Sequence, residues 1–237
     1  MKFFTLRHHG SPIVPYETAW KFQKELVEKR ARDEIEDTVL FLEHPPTITR
    51  GRGLQFTGVP REKQMPLEQL TPGTEYFEIE RGGDLTWHGP GQLVIYPIVK
   101  LDGKREFSHH DVTAFLRKLE SAIISLLRDF GLQGEMREQA TGVWVGEKKV
   151  ASLGIAVSKW VTYHGAAINV MNDPRSFLGF NPCGFDPEMM TSLSALGAAL
   201  PPDWRDRIES LLCNHLTSAP ISSKIEVYEI FTDSVRS

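Results

Sequence analysis

Cysteine is scarce in this chain: only Cys183 and Cys213 occur among 237 residues. A single bridge would add little to a chain long enough to bury a sizeable core, so a reduced, cytoplasmic setting is expected, with cysteine serving chemistry or packing. Long apolar runs are missing as well. No stretch approaches the ~18 consecutive apolar residues of a membrane span, and residues 1–9 hold only an apolar stub, too short for a signal core. Charge of one sign is not in excess either. The 27 basic and 31 acidic residues leave a formal charge of −4 with no Lys/Arg block, which argues against a nucleic acid or an anionic membrane as partner. Repeats and low-complexity tracts are absent, and 41% hydrophobic with 24% charged residues excludes disorder. One domain over residues 1–237 is expected, with the place of the tail after about residue 200 left open.

What is present reads as strands interleaved with helices. Tyr16, Ala19, Trp20, Gln23, Leu26 and Val27 recur at helical spacing just after Pro15. Residues 38–42 form a β-branched and aromatic run that ends in His44-Pro45-Pro46, a buried strand entering a loop that continues through Arg50-Gly51-Arg52-Gly53. Strands are also expected over residues 76–80 and 92–99, bracketing a glycine-rich loop, with a hairpin over 142–153 and a strand over 161–170. Ser108 and Asp111 suggest a capping box opening a helix whose apolar stripe runs from Val112 to Leu127 and stops near Gly131. Helical pieces are expected over 189–196 and 203–216, and a late strand over 225–231. Without strict βαβ alternation this order indicates α+β, helices covering a mixed sheet.

Four segments are hard to explain by packing alone. The first is Arg81-Gly82-Gly83-Asp84-Leu85-Thr86-Trp87-His88-Gly89-Pro90-Gly91-Gln92, where glycines let backbone N–H groups approach a ligand and Arg81 and His88 add charge and a proton-transfer group. An ordinary long turn would have the same composition. The second is Lys148-Lys149-Val150-Ala151-Ser152-Leu153-Gly154: neighbours on a strand face opposite ways, so one lysine at most meets a pocket, and parity does not say which. In the third, Asn181-Pro182-Cys183-Gly184, a turn presents a thiol, whereas Cys213 falls on an amphipathic helix where packing explains it. The fourth, residues 161–170, places His164 beside Gly165, Ala166 and Ala167, small residues that leave room for an apolar chain; a core histidine satisfied by a hydrogen bond is the plain alternative.

In this order and spacing the segments resemble the lipoyl(octanoyl) transferase family of lipoate biosynthesis, over roughly residues 42–183. Arg81-Gly82-Gly83 with Thr86-Trp87-His88-Gly89-Pro90-Gly91-Gln92 is similar to its signature; Gly146-Glu147-Lys148-Lys149-Val150-Ala151-Ser152-Leu153-Gly154 and Asn181-Pro182-Cys183-Gly184 are similar to its two catalytic stretches. The resemblance implies the mixed-sheet fold of biotin and lipoate protein ligases. It also implies transfer of an octanoyl group from octanoyl-acyl carrier protein to a lysine of apo lipoyl domains, those of 2-oxoacid dehydrogenases and the glycine cleavage H protein. Cys183 would be the nucleophile and Lys149, not Lys148, its partner; Arg81, Gly82, Gly83, Asp84, Leu85, Thr86, Trp87, His88, Ser152, Leu153, Gly154, Gly165, Ala166 and Ala167 would line the acyl site. Ala166 stands where the family more often has a larger apolar residue, a change expected to widen the pocket.

The chemistry is consistent with those residue types. Thioester exchange onto a thiol is near energy-neutral and aminolysis of the acyl-enzyme is downhill, so no cofactor, nucleotide or metal is expected. A nearby ammonium favours the thiolate, and a lysine of depressed pKa can take the proton from the attacking amine. Backbone N–H groups near Cys183 or around Leu153-Gly154 are candidates for the oxyanion donors. The alternatives are an ATP-dependent lipoate or biotin ligase, an octanoyl amidotransferase, a cysteine hydrolase pairing Cys183 with His164 or His88, and an acyl-binding module without catalysis.

Overall fold

Alternating apolar side chains along strands and one apolar stripe per helix decide the layers. The computed structural model describes residues 1–53, 72–103, 110–138, 140–177, 182, 185–217 and 225–231. Eight strands, β1 (Lys2–His8), β2 (Thr38–Leu42), β6 (Gln92–Ile98), β7 (Glu135–Arg137), β8 (Ala140–Val145), β9 (Lys148–Ser158), β10 (Val161–Asn169) and β11 (Glu226–Ile230), make one sheet in the order β11-β1-β2-β6-β10-β9-β8-β7. β1 runs parallel to β2 and β11, and the other pairs are antiparallel, so the sheet is mixed. A second sheet of β3 (Thr47–Arg50), β4 (Glu75–Glu78) and β5 (Leu85–His88) has the order β4-β3-β5.

Helix α2 (Val112–Asp129) presents Phe115, Leu119, Ile123 and Leu126 at helical spacing, and α3 (Trp204–Leu216) presents Ile208, Leu212 and Leu216. Both stripes close on one face of the large sheet, against Val39, Phe41, Leu93, Ile95, Val143, Ala151 and Ile168. Helix α1 (Tyr16–Ala31) covers the opposite face, its Ala19, Leu26 and Val27 meeting Leu40, Leu42, Val94, Tyr96 and Ala167. Cys213 sits in the α2–α3 core, where burial pushes its thiol pKa up to about 12. It is packing material, as its helical position indicated.

The α+β fold matches the sequence expectation, and several local readings change. Residues 85–88 form a strand instead of continuing the glycine-rich loop: Leu85 and Trp87 turn into a small core with Ile48, Phe177 and Met190, while Thr86 and His88 turn the other way. The loop expected through Arg50 begins as strand β3, because its β-branched Thr47-Ile48-Thr49 pair with β5 and β4. Asp111 itself caps α2, accepting a 2.8 Å hydrogen bond from Ala114 N; Ser108 lies outside the described residues. Where a helix was expected over 189–196 there is only a short 3-10 turn, Pro187–Met189, followed by turns. The strands β1 and β7 were not anticipated. Part of the tail is integral: α3 supplies core, and β11 pairs with β1 at the sheet edge.

Candidate active site

A narrow cavity opens on the α1 face of the large sheet. The sheet forms its floor through Val94 and Tyr96 of β6, Ser152, Leu153 and Gly154 of β9, and His164, Gly165, Ala166 and Ala167 of β10. Tyr16 from α1, with Arg81, Thr86 and His88 from the small sheet and its loop, closes it from above.

Of the anticipated residues, the cavity gathers Arg81, Thr86, His88, Ser152, Leu153, Gly154, Gly165, Ala166 and Ala167. Gly82, Gly83, Asp84, Leu85 and Trp87 do not line it. Gly82 donates to Ile155 O at 3.0 Å, which docks the loop on β9, and Asp84 faces Arg50 at 3.4 Å. Ala166 shares the α2-side core with its cross-strand neighbours Ile95 and Leu153, so its small side chain bears on that core as well as on the cavity. Tyr16, Val94 and Tyr96 are lining residues that the sequence did not mark as site residues; His164, singled out beside Gly165, joins them. Val94 and Tyr96 share one strand face, a spacing that is visible in the sequence.

Arg81 acts as a staple. Its Nη2 donates to Thr49 O, Thr49 Oγ1 and Asp84 O at 2.9, 2.9 and 2.7 Å, and its Nη1 to Gly82 O at 2.9 Å, so its guanidinium ties its own loop to β3. Thr86, buried and lining the cavity, has a hydroxyl with no hydrogen-bond partner among the described residues.

The Gly89-Pro90-Gly91 turn is held from two sides. Gly91 has φ +83°, and a Cβ there would lie 2.6 Å from Asn172 N, so only glycine lets residues 170–172 close on it. Its N–H donates to Glu43, which is also paired with Arg205 of α3. That turn places His88 and Gln92: His88 Nδ1–H donates to Gln92 Oε1 at 2.8 Å, and Gln92 Nε2 donates to Asn169 Oδ1 at 2.9 Å. Burial, helped by His44 and Arg81, holds the His88 pKa well below its usual range, so it is neutral. His44 is neutral for the same first reason, its pKa lowered to about 4, with ring nitrogens 2.7 Å from Val14 O and 2.7 Å from Tyr96 Oη. The described residues include no group of three or more His, Cys, Asp or Glu arranged to hold a metal ion.

The two lysines separate cleanly. Lys148 is exposed and donates to Glu188 O at 2.7 Å, whereas Lys149 is 2% exposed. The register between β8 and β9 shifts after Val143, which pairs with Ala151, to Trp144, which pairs with Lys149; Val150 is the extra residue of a bulge. Val150 and Ala151 therefore both pack into the α2-side core, and Lys149 is turned to the face that Ser152 and Gly154 share. Its ammonium lies 4.8 Å from the Phe185 ring centroid and 5.5 Å from that of Trp144. Its side chain crosses Gly142, where a Cβ would come within 3.1 Å of Nζ. Asn181, Cys183 and Gly184 lie outside the described residues.

Comparison with known proteins agrees with this architecture. The model of the lipoyl protein ligase A/B catalytic domain matches residues 15–215, and the chain belongs to that family. Within it, the chain is similar to proteins named octanoyltransferase. That of Gloeobacter violaceus is 45% identical over 174 residues, covering 73% of this chain and 72% of the relative. That of Thermobifida fusca is 43% identical over 194 residues, covering 78% and 77%. Among solved structures, a bipartite lipoate protein ligase from Thermoplasma acidophilum superposes with TM-score 0.65 at 17% identity, covering 97% of this chain and 88% of that one. A lipoate-protein ligase A bound with ATP also superposes with TM-score 0.65, at 16% identity over 98% and 90%. At such identities the structural likeness bears on the fold alone.

Proposed function

We propose that this chain is an octanoyltransferase that carries an octanoyl group from acyl carrier protein to a lysine of lipoyl domains through a thioester on Cys183. The observation that carries the reading is the bulge at Val150, which puts a buried Lys149 on the sheet face that also bears the largely apolar cavity, next to Ser152 of its lining, although Lys149 itself does not line it. Phe185, two residues beyond Cys183, stands against the Lys149 ammonium, which supports pairing the two.

In the first half-reaction the Cys183 thiolate attacks the carbonyl of the octanoyl thioester. The new C–S bond forms as the carrier's C–S bond breaks, and the carrier thiolate takes the proton of the Lys149 ammonium, leaving that amine neutral. In the second, the ε-amine of the acceptor lysine attacks the same carbonyl. The Cys183 thiolate leaves, and the proton shed by the nitrogen passes to Lys149. The ammonium pairs with the thiolate before the first half and is regenerated beside it at the end of the second. The neutral His88 orients through Gln92 and carries no charge into the apolar site. Cleaving one thioester to form another and then an amide requires no nucleotide. One domain suffices, with acceptors among the lipoyl domains of 2-oxoacid dehydrogenases and the glycine cleavage H protein, in the cytoplasm.

The test is to mix the chain with octanoyl-acyl carrier protein and an apo lipoyl domain, without ATP, and to weigh both proteins by intact mass spectrometry. One octanoyl adduct should appear on the enzyme before the acceptor gains it, and Cys183→Ala should abolish both. Transfer that requires ATP and releases pyrophosphate would identify a ligase and overturn the reading.

A further inference from the structure

Buried polar rings line part of the cavity, an unusual lining for a site that takes an alkyl chain. Tyr16, Tyr96 and His164 are each at most 3% exposed. Tyr96 Oη is tied to His44 Nε2 at 2.7 Å, Tyr16 Oη stands 3.5 Å from His164 Nδ1, and the Tyr16 ring lies 4.9 Å from that of His44. The backbone of His164 is fixed as well: its N–H donates to Gln23 Oε1 at 2.7 Å, and its φ of +56° is left-handed, rare for a residue with a side chain. His164 Nε2 faces Glu80 at 3.7 Å, within reach of the carboxylate's charge but without a hydrogen bond to it or to another described residue.

Sheet geometry measures the distance from this wall to the reacting end. The Lys149 side chain reaches the level of Gly142 on β8, which is in register with Ser152 of β9 and Ala167 of β10, so His164 stands two strands across and three residues along. At ~4.8 Å per strand and ~3.4 Å per residue that is about 14 Å, and Tyr96 on β6 lies slightly further. Carbon–carbon bonds of ~1.5 Å make an extended eight-carbon chain about 9 Å long, and an ammonium contact to the sulfur or carbonyl takes up roughly another 4 Å. An eight-carbon chain therefore ends against the rings, and each further carbon must displace one of them and strand its hydrogen-bond partner in a buried site.

We propose that Tyr16, Tyr96 and His164 form the wall that limits the acyl group to about eight carbons, with His164 the residue that sets the limit. The inference rests on the transfer reading above and adds to it the origin of chain-length selectivity. Because His164 is in left-handed backbone, His164→Gly removes the ring without opposing the main chain, and His164→Asn keeps a residue that tolerates that conformation while shortening the head.

The experiment is a competition. Enzyme, apo lipoyl domain and an equimolar mixture of hexanoyl-, octanoyl-, decanoyl- and dodecanoyl-carrier are combined, and the acylated lipoyl domain is weighed by intact mass. Product ratios do not depend on how much of a variant folds. The parent should give mainly octanoyl product. His164→Gly should raise the decanoyl-plus-dodecanoyl to octanoyl ratio at least tenfold, and His164→Asn should move it the same way by less. Octanoyl transfer by the parent with an unchanged ratio in both variants overturns the wall. A parent that transfers no acyl chain overturns the transfer reading and the wall with it.

Discussion

Acid should unfold this protein through its buried histidines, and His44 lets the effect be worked through. In the fold its pKa is about 4 against an ordinary 6.5, because burial penalises the imidazolium. The unfolded chain thus binds a proton over the interval between those values that the folded chain does not. Stability from the neutral, buried ring is complete above about pH 6.5 and is lost as pH falls toward 4. Single-site linkage from pH 7 to pH 4.5 gives a loss of about 2 kcal/mol from His44 alone, and His88 and His164, lowered in the same direction, add to it. His44→Gln removes the titrating group. At pH 7 it should cost about 1–3 kcal/mol, since the hydrogen bonds to Val14 O and Tyr96 are disturbed in a buried site. At pH 4.5 the gap should shrink by about 2 kcal/mol, so the two stability curves converge. Urea unfolding at a series of pH values measures this, and parallel curves for parent and variant would refute the assignment.

Three further outcomes follow from particular contacts. Gly142→Ala places a methyl against the Lys149 side chain at a residue with φ +140°; it should slow transfer more than tenfold while costing about 1–2 kcal/mol in urea. Lys149→Met, close in length and without charge, should lower the rate of enzyme acylation by about 100-fold in a single-turnover assay, with the protein still folded by circular dichroism. Phe41→Ala, on the sheet face away from the cavity and stacked on Phe3 with centroids 6.2 Å apart, should cost about 3–5 kcal/mol in urea yet leave kcat of the folded enzyme unchanged.

Most elements were legible because periodicity is a local signal. The stripe on α2, the alternation in β6 and the hairpin of β8 and β9 all lie where the side-chain pattern put them. β5 was hidden by composition: Leu85-Thr86-Trp87-His88 alternates as a strand should, but glycines on both sides favoured a loop reading. β1 was missed because its apolar residues are flanked by Lys2, Arg7 and His8, and its strand character comes from pairing with β2 on one side and, at the far end of the chain, β11 on the other. The site was legible as motifs but not as geometry. A bulge decides which lysine is buried on the cavity's side of the sheet, and the register that creates it is a property of two paired strands. His164 has a histidine's ordinary appearance in sequence; its left-handed backbone and its place beside Tyr16 arise only from tertiary packing.

The central claim is that the Lys149 ammonium holds the Cys183 sulfur as a thiolate, and the pKa of that thiol tests it most directly. Iodoacetamide alkylation of the parent across pH 5–10, followed by intact mass, reads essentially one thiol, because Cys213 is buried with its pKa pushed up to about 12. The alkylation midpoint should fall at least one pH unit below the ~8.5 of a free cysteine and return toward it in Lys149→Met. A midpoint that is the same with and without the lysine would contradict the account.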